Sequence, residues 1–154
     1  MTRRGAFATI AAAFGALALV VGAPLSASAV DVASVTPDTN ISAPTTVQVV
    51  IDFDPGEAWY AIAECNGASS PGTDCYSGSA STSLVAVPGS MTATISNFGV
   101  VDSFTGISLV PGSPAPGVPT SCDGVGSDPC EVQVSVYDSS FNFLGTDVYP
   151  IHFI

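Results

Sequence analysis

AWYAIAECNGASSPGTDC, residues 58–75, is the stretch on which the fold turns. Trp59, Tyr60 and Ile62 belong to an alternating, aromatic-rich segment that ends on Cys65, and a Gly/Ser/Pro loop then returns the chain to Cys75. Strand patterning followed by a short Cys-to-Cys loop predicts a β-strand stapled to its own exit loop. Such a staple fixes a rim, and the rim of a small β-sandwich is a natural place to hold a ligand.

Working outward, Thr45 to Phe53 reads as the clearest strand. Val47, Val49, Ile51 and Phe53 share one face, with Gln48 and Asp52 on the other. Asp54-Pro55-Gly56 is a turn signal that leads into the Trp59–Cys65 strand. Upstream, Asp31 to Thr36 begins an edge strand, and Pro37 to Asn40 is a turn. Downstream, Ser81–Val87 and Met91–Ser96 read as short strands around Pro88-Gly89, and Phe98–Leu109 is mixed. Residues 111–119 hold four prolines and two glycines, which excludes a central strand and predicts a surface loop. Glu131–Tyr137 alternates again, Val132, Val134 and Val136 against Gln133, Ser135 and Tyr137. Phe141–Gly145 is expected to turn the chain and Asp147–Ile154 to close it. No helical periodicity interrupts this series. The expectation is a seven-stranded, immunoglobulin-like antiparallel β-sandwich.

Residues 1–29 read as a cleaved export signal. Arg3 and Arg4 flank the apolar run Ala6–Val21, and Ala27-Ser28-Ala29 is a small-x-small cleavage site. An uncleaved membrane anchor is the alternative, and the Arg pair hints at twin-arginine export. Residues 30–154 then form one domain. Both cations leave with the signal, so the formal charge moves from −11 to −13, with 13 Asp and Glu and no Lys or Arg. Binding to phosphate backbones rests on Lys and Arg, and an anionic membrane would repel this surface. The domain is therefore expected to touch neither nucleic acid nor membrane and to be a secreted monomer. Four cysteines in an exported chain imply two disulfides with three possible connectivities, and sequence proximity favours Cys65–Cys75 and Cys122–Cys130. Each closed loop contributes about 2–3 kcal/mol in the chain-entropy treatment.

Groups for catalysis are few. The single histidine, His152, lies in the closing strand and reads as structural rather than as a general base. Asp52 and Asp54 read as strand-face and turn residues. Asp123, Asp128 and Glu131 offer oxygen ligands of the kind calcium takes, but their spacing fits no EF-hand loop, so no metal is expected. Asn40-Ile41-Ser42 matches the glycosylation tripeptide.

Several motifs belong together: Val35-Thr36-Pro37, the Val47–Ile51 strand, and Gly56 to Cys65 against a Gly-x-x-Tyr-Tyr-x-x-x-Gln-Cys pattern. The ten-residue step to Cys75, Ser103-Phe104-Thr105-Gly106, and the pair Cys122 and Cys130 followed by Glu131-Val132 complete the set. Taken together they resemble the neocarzinostatin family of enediyne chromoprotein apoproteins. The resemblance covers about Val32 to Ile154. It implies an immunoglobulin-like sandwich with a cleft at one end that holds a labile enediyne chromophore without covalent attachment. Antimicrobial and DNA-damaging action would then belong to the chromophore of the holo-complex. By the same resemblance Cys65, Gly67, Thr73, Cys75, Phe104, Ile107, Leu109, Glu131 and Ser135 are the ligand-binding positions. The chain departs from the family where Ile107 and Leu109 replace aromatic rings and Glu131 replaces Gln. It also departs in a longer second Cys loop and an apparent insertion at 111–119. Three functions compete: a non-enzymatic carrier of a small apolar molecule, an extracellular interaction module without a chromophore, and a hydrolase dependent on His152.

Overall fold

A computed structural model describes residues 31–81, 83–110, 117, 119–122 and 130–154. The export signal expected at residues 1–29, most of the Pro-rich segment, and Asp123 and Asp128 of the second Cys loop lie outside the described residues. Among the described residues nine strands run β1 (Asp31–Thr36), β2 (Thr45–Asp52), β3 (Trp59–Asn66), β4 (Val85–Ala86), β5 (Thr92–Val100), β6 (Ser103–Thr105), β7 (Pro119–Ser121), β8 (Cys130–Tyr137) and β9 (Phe143–Ile151). One sheet has the order β1-β2-β5, the other β4-β3-β8-β9, and β6-β7 form a separate ribbon. Three plus four strands give the seven-stranded sandwich expected, and the ribbon is an addition inside the connection from β5 to β8.

The core lies between the sheets because each strand alternates. Val47, Val49 and Ile51 of β2 face Val132, Val134 and Val136 of β8, all fully buried or nearly so. Phe53 and Tyr60 close one end with ring centroids 5.0 Å apart. At the outward turn after β2, the Glu57 carboxylate accepts from the Asp54 amide at 2.9 Å, so Asp54 serves a turn. Asp52 accepts from the Thr92 hydroxyl across the β2–β5 pair at 2.8 Å.

Four boundaries differ from the sequence reading. The Ser81–Val87 strand shrinks to Val85–Ala86, because serine hydroxyls replace a ladder along β3. Ser81 Oγ accepts from the Ile62 amide at 2.8 Å, and Ser79 Oγ accepts from the Glu64 amide at 2.9 Å. Strand β5 continues past Ser96 to Val100 through a register shift opposite Val47 and Val49. Strand β9 starts at Phe143 rather than Asp147, since the Asp138 carboxylate ties the turn by accepting from the amides of Ser140 and Asn142. Pro119 opens β7 and pairs with Thr105, a place at the start of a short ribbon strand that suits proline.

Both Cys pairs form as expected, Cys65–Cys75 and Cys122–Cys130. His152 holds the closing segment through its backbone: its amide donates to the Asp38 carbonyl at 2.8 Å, and its carbonyl accepts from the Ile41 amide at 3.1 Å. Its side chain is exposed.

Candidate functional site: a cleft on the outer face of the four-stranded sheet

The register of β3, β8 and β9 sets the outward side chains in rows. Trp59, Tyr137 and Phe143 form the first, and Ala61, Ser135 and Thr146 the second. Ala63, Gln133 and Val148 form the third, and Cys65, Glu131 and Pro150 the fourth. Small side chains at Ala61, Ala63 and Ser135 leave the middle of this floor low. Loops rise on two sides, Pro71 to Leu84 after β3 and Ile107 to Val110 after β6. Together they enclose a cleft of about 1150 Å³. That is slightly above the roughly 300–1,000 Å³ usual for small-molecule sites. The cleft therefore lies against the outer sheet face, with the Cys65–Cys75 bridge at one end, rather than in the end of the sandwich.

Long-range hydrogen bonds hold the walls in place. The Gly72 amide donates to Gln133 Oε1 at 2.7 Å, and the Gly72 carbonyl accepts from the Leu109 amide at 2.7 Å. Gly72 has φ +74°, and a Cβ there would press on Val110 at 3.1 Å, so this junction requires glycine. Cys75 and Ile107 exchange both backbone hydrogen bonds, at 2.9 and 3.0 Å. Buried Asp74 ties the first Cys loop to β7, accepting from the Asn66 amide group, Ser69 and Thr120 through Oδ2. A Cβ at position 106 would collide with the Asp74 carboxylate. This collision gives the Ser-Phe-x-Gly motif a physical reason: Gly106 is where the two loops touch.

The residues singled out by resemblance divide. Cys65, Ile107, Leu109 and Ser135 line the cleft. Cys75 is buried behind Cys65 as its disulfide partner. Gly67 sits in the exposed turn after β3, and Thr73 bonds the Ser70 carbonyl within the loop. Phe104 points into the core, 5.8 Å from the Tyr76 ring. Glu131 accepts from Gln133 Nε2 at 2.7 Å, and burial pushes its carboxyl pKa up while that hydrogen bond opposes the rise. The sequence reading passed over Gln133, which shares the alternating face with Ser135, and Ala61 and Ala63, whose small size makes the hollow. Their outward alternation was visible; the loops packed above them were not.

One carboxylate faces the other way. Glu64 is fully buried, with its oxygens 3.0 and 3.4 Å from the Val101 amide. Desolvation raises its pKa to about 8, against the hydrogen bond from Val101, so it is largely protonated at neutral pH. Its carboxylate and the sulfurs of Cys122 and Cys130 lie within 4.8 Å of one another. Both sulfurs are committed to a disulfide, and thiolates are the metal-binding form, so this cluster is not a metal centre. Of the three oxygen ligands weighed for calcium, Glu131 is spoken for by Gln133, and the other two lie outside the described residues.

No family model and no curated protein matches the sequence. Macromomycin and apokedarcidin are among the solved structures that share the fold. Macromomycin is 19% identical, with a TM-score of 0.56 over 82% of this chain and 98% of its own. Apokedarcidin, known in its solution conformation, is 23% identical, with a TM-score of 0.54 over 83% of this chain and 99% of its own. Both neighbours are of the neocarzinostatin family that the sequence motifs resemble. At these identities the likeness shows the fold.

Proposed function

We propose that this protein is a secreted, non-enzymatic carrier that holds a small apolar molecule in the outer-face cleft. The observation that carries the reading is the hollow itself: a mostly apolar space of about 1150 Å³, with the buried Cys65–Cys75 bridge at one end. A sheet face meant only for solvent needs no loops tied over it by bonds such as Gly72 to Gln133. An apolar pocket excludes water and thiols from a reactive guest, and shielding requires no general acid or base. The exposed His152 is not among the lining residues, which disfavours a hydrolase built on it.

The guest is of the enediyne type or a similar conjugated molecule, on the strength of the motif resemblance and the shared fold. Cys65, Ile107, Leu109 and Ser135 would contact it, with Ala61 and Gln133 added by the geometry. Any antimicrobial or DNA-damaging action would reside in that guest, because residues 30–154 carry 13 acidic side chains and no Lys or Arg with which to grip phosphates. Export follows from the leader at residues 1–29, and two disulfides suit an oxidising compartment. Among the described residues no helix is long and apolar enough to cross a membrane.

The test is to purify the protein from its native culture, record near-UV and visible absorbance, and extract with methanol. A conjugated small molecule that leaves with the solvent is the expected result. Repeated absence of one would replace the carrier with an extracellular interaction module.

A further inference from the structure

The two ends of the cleft differ in chemistry. At the Cys65 end the walls are aliphatic, from Ile107, Leu109 and Val110. At the other end the floor row is entirely aromatic, Trp59, Tyr137 and Phe143 in register. Tyr137 meets Phe143 edge to face with centroids 5.7 Å apart. Phe141 stacks on Trp59 at 5.2 Å and 24°, which extends the aromatic surface beyond the cleft lining.

Neither fold nor core asks for these rings. Phe141 and Phe143 are each 60% exposed. Phe141 also has φ +64°, a backbone state that glycine and asparagine adopt readily and a bulky aromatic residue rarely does. Tyr137 and Phe143 both line the cleft, and the Phe141–Trp59 stack continues the aromatic surface beside them. The surrounding charge limits the guest, since no Lys or Arg stands among the described residues to pair with an anion.

From this geometry we infer that the β8–β9 hairpin end of the cleft is a recognition site for a planar aromatic group without negative charge, stacked on Phe143 and Tyr137. The inference rests on the carrier reading and adds a second contact region to it. Ring contacts absent at Ile107 and Leu109 are supplied from the opposite end of the cleft. Edge-to-face and offset stacking favour a flat partner, and a ring face favours a cationic or neutral one.

Trp59 is the single tryptophan of the chain, so its emission reports on this end directly. The probe is proflavine, a planar monocation, compared with amantadine, a cage-shaped monocation, and anthracene-9-carboxylate, a planar anion. Titration of the intact protein, followed by Trp59 fluorescence and calorimetry, is expected to show proflavine binding with quenching and at least tenfold weaker binding of the other two. Phe143→Ala is expected to weaken proflavine tenfold or more, and Phe143→Trp to restore it to within about threefold. Ile154→Ala, an exposed apolar residue outside the lining, should leave it unchanged. Phe143 is mostly exposed, and near-UV circular dichroism confirms that each variant is folded. Equal binding of amantadine, or undiminished binding to Phe143→Ala, overturns the inference. If proflavine fails to bind while methanol extraction of the native protein releases a guest, the aromatic-end assignment falls alone. If neither a guest nor proflavine is found, the carrier reading falls with it.

Discussion

Strands β3 and β8 each present two faces, and the same alternation produces opposite outcomes on them. Inward, Val132, Val134 and Val136 interlock with the opposite sheet and leave no exposed surface. Outward, Ala61, Ala63, Ser135 and Gln133 stop short, and the loops above do not fill the gap. Close packing makes an interior intolerant of voids, so a hollow of this size persists only where its walls are fastened independently of it. Here the fastening comes from backbone groups at Gly72, Cys75, Ile107 and Leu109 and from the side chains of Gln133 and Asp74. The carboxylates divide along the same lines. Glu131 faces outward and is tied to Gln133, whereas Glu64 faces inward and is kept neutral.

The inward face is tested most strongly through Glu64. A carboxyl whose pKa is raised from 4.5 to about 8 on folding contributes stability that is fully present below pH 4.5. That contribution is lost as pH rises towards 8, because the folded state holds the proton longer than the unfolded one. At about 1.4 kcal/mol per pKa unit, the loss over this window is of order several kcal/mol. Glu64→Gln removes the titration and keeps an acceptor for the Val101 amide. Its stability advantage over the parent should grow between pH 4.5 and 8 and level off above that, in urea melts at a series of pH values. A gap independent of pH would mean that Glu64 is not held neutral.

Next in size is the fastening of the outer face. Gln133→Leu leaves the Gly72 amide without its partner, at a cost of about 1–3 kcal/mol if the loop stays closed. Hydrogen exchange should show faster exchange at Gly72 and Leu109, with little change in β2. Ala61→Phe fills the low middle of the floor without touching the core. Guest or probe binding should fall tenfold or more, about 1.4 kcal/mol, while the urea midpoint moves little. The smallest effect belongs to Phe141→Gly. Relief of the left-handed backbone, about 1 kcal/mol, offsets the lost stacking on Trp59, about 0.5–1.5 kcal/mol. The thermal midpoint should therefore stay within a few degrees of the parent.

Strand identity was legible wherever one face is buried and the other wet, as along Val47, Gln48, Val49 and Ile51 of β2. It was less legible at β9, where Phe143 looked like part of a turn because the Asp138 cap that ends the turn at Asn142 depends on side-chain geometry. The disulfides followed from proximity. Of the cleft, Cys65, Ile107, Leu109 and Ser135 were anticipated and Gln133 was not, since its importance lies in a bond to Gly72, 61 positions away. Phe104 looked like a cleft residue, yet it completes the core, because the β6–β7 ribbon rotates it inward against Tyr76.

By itself the sequence determined an acidic β-sandwich with two short disulfide loops, because alternation, turn residues and cysteine spacing are local and act over a few residues. Only the tertiary structure decided which sheet face is hollow, that an aromatic row stands opposite the Cys65 bridge, and that Glu64 is buried. Each of these depends on which distant loop comes to rest over a strand, and that is set by packing and hydrogen bonds between segments far apart in the chain.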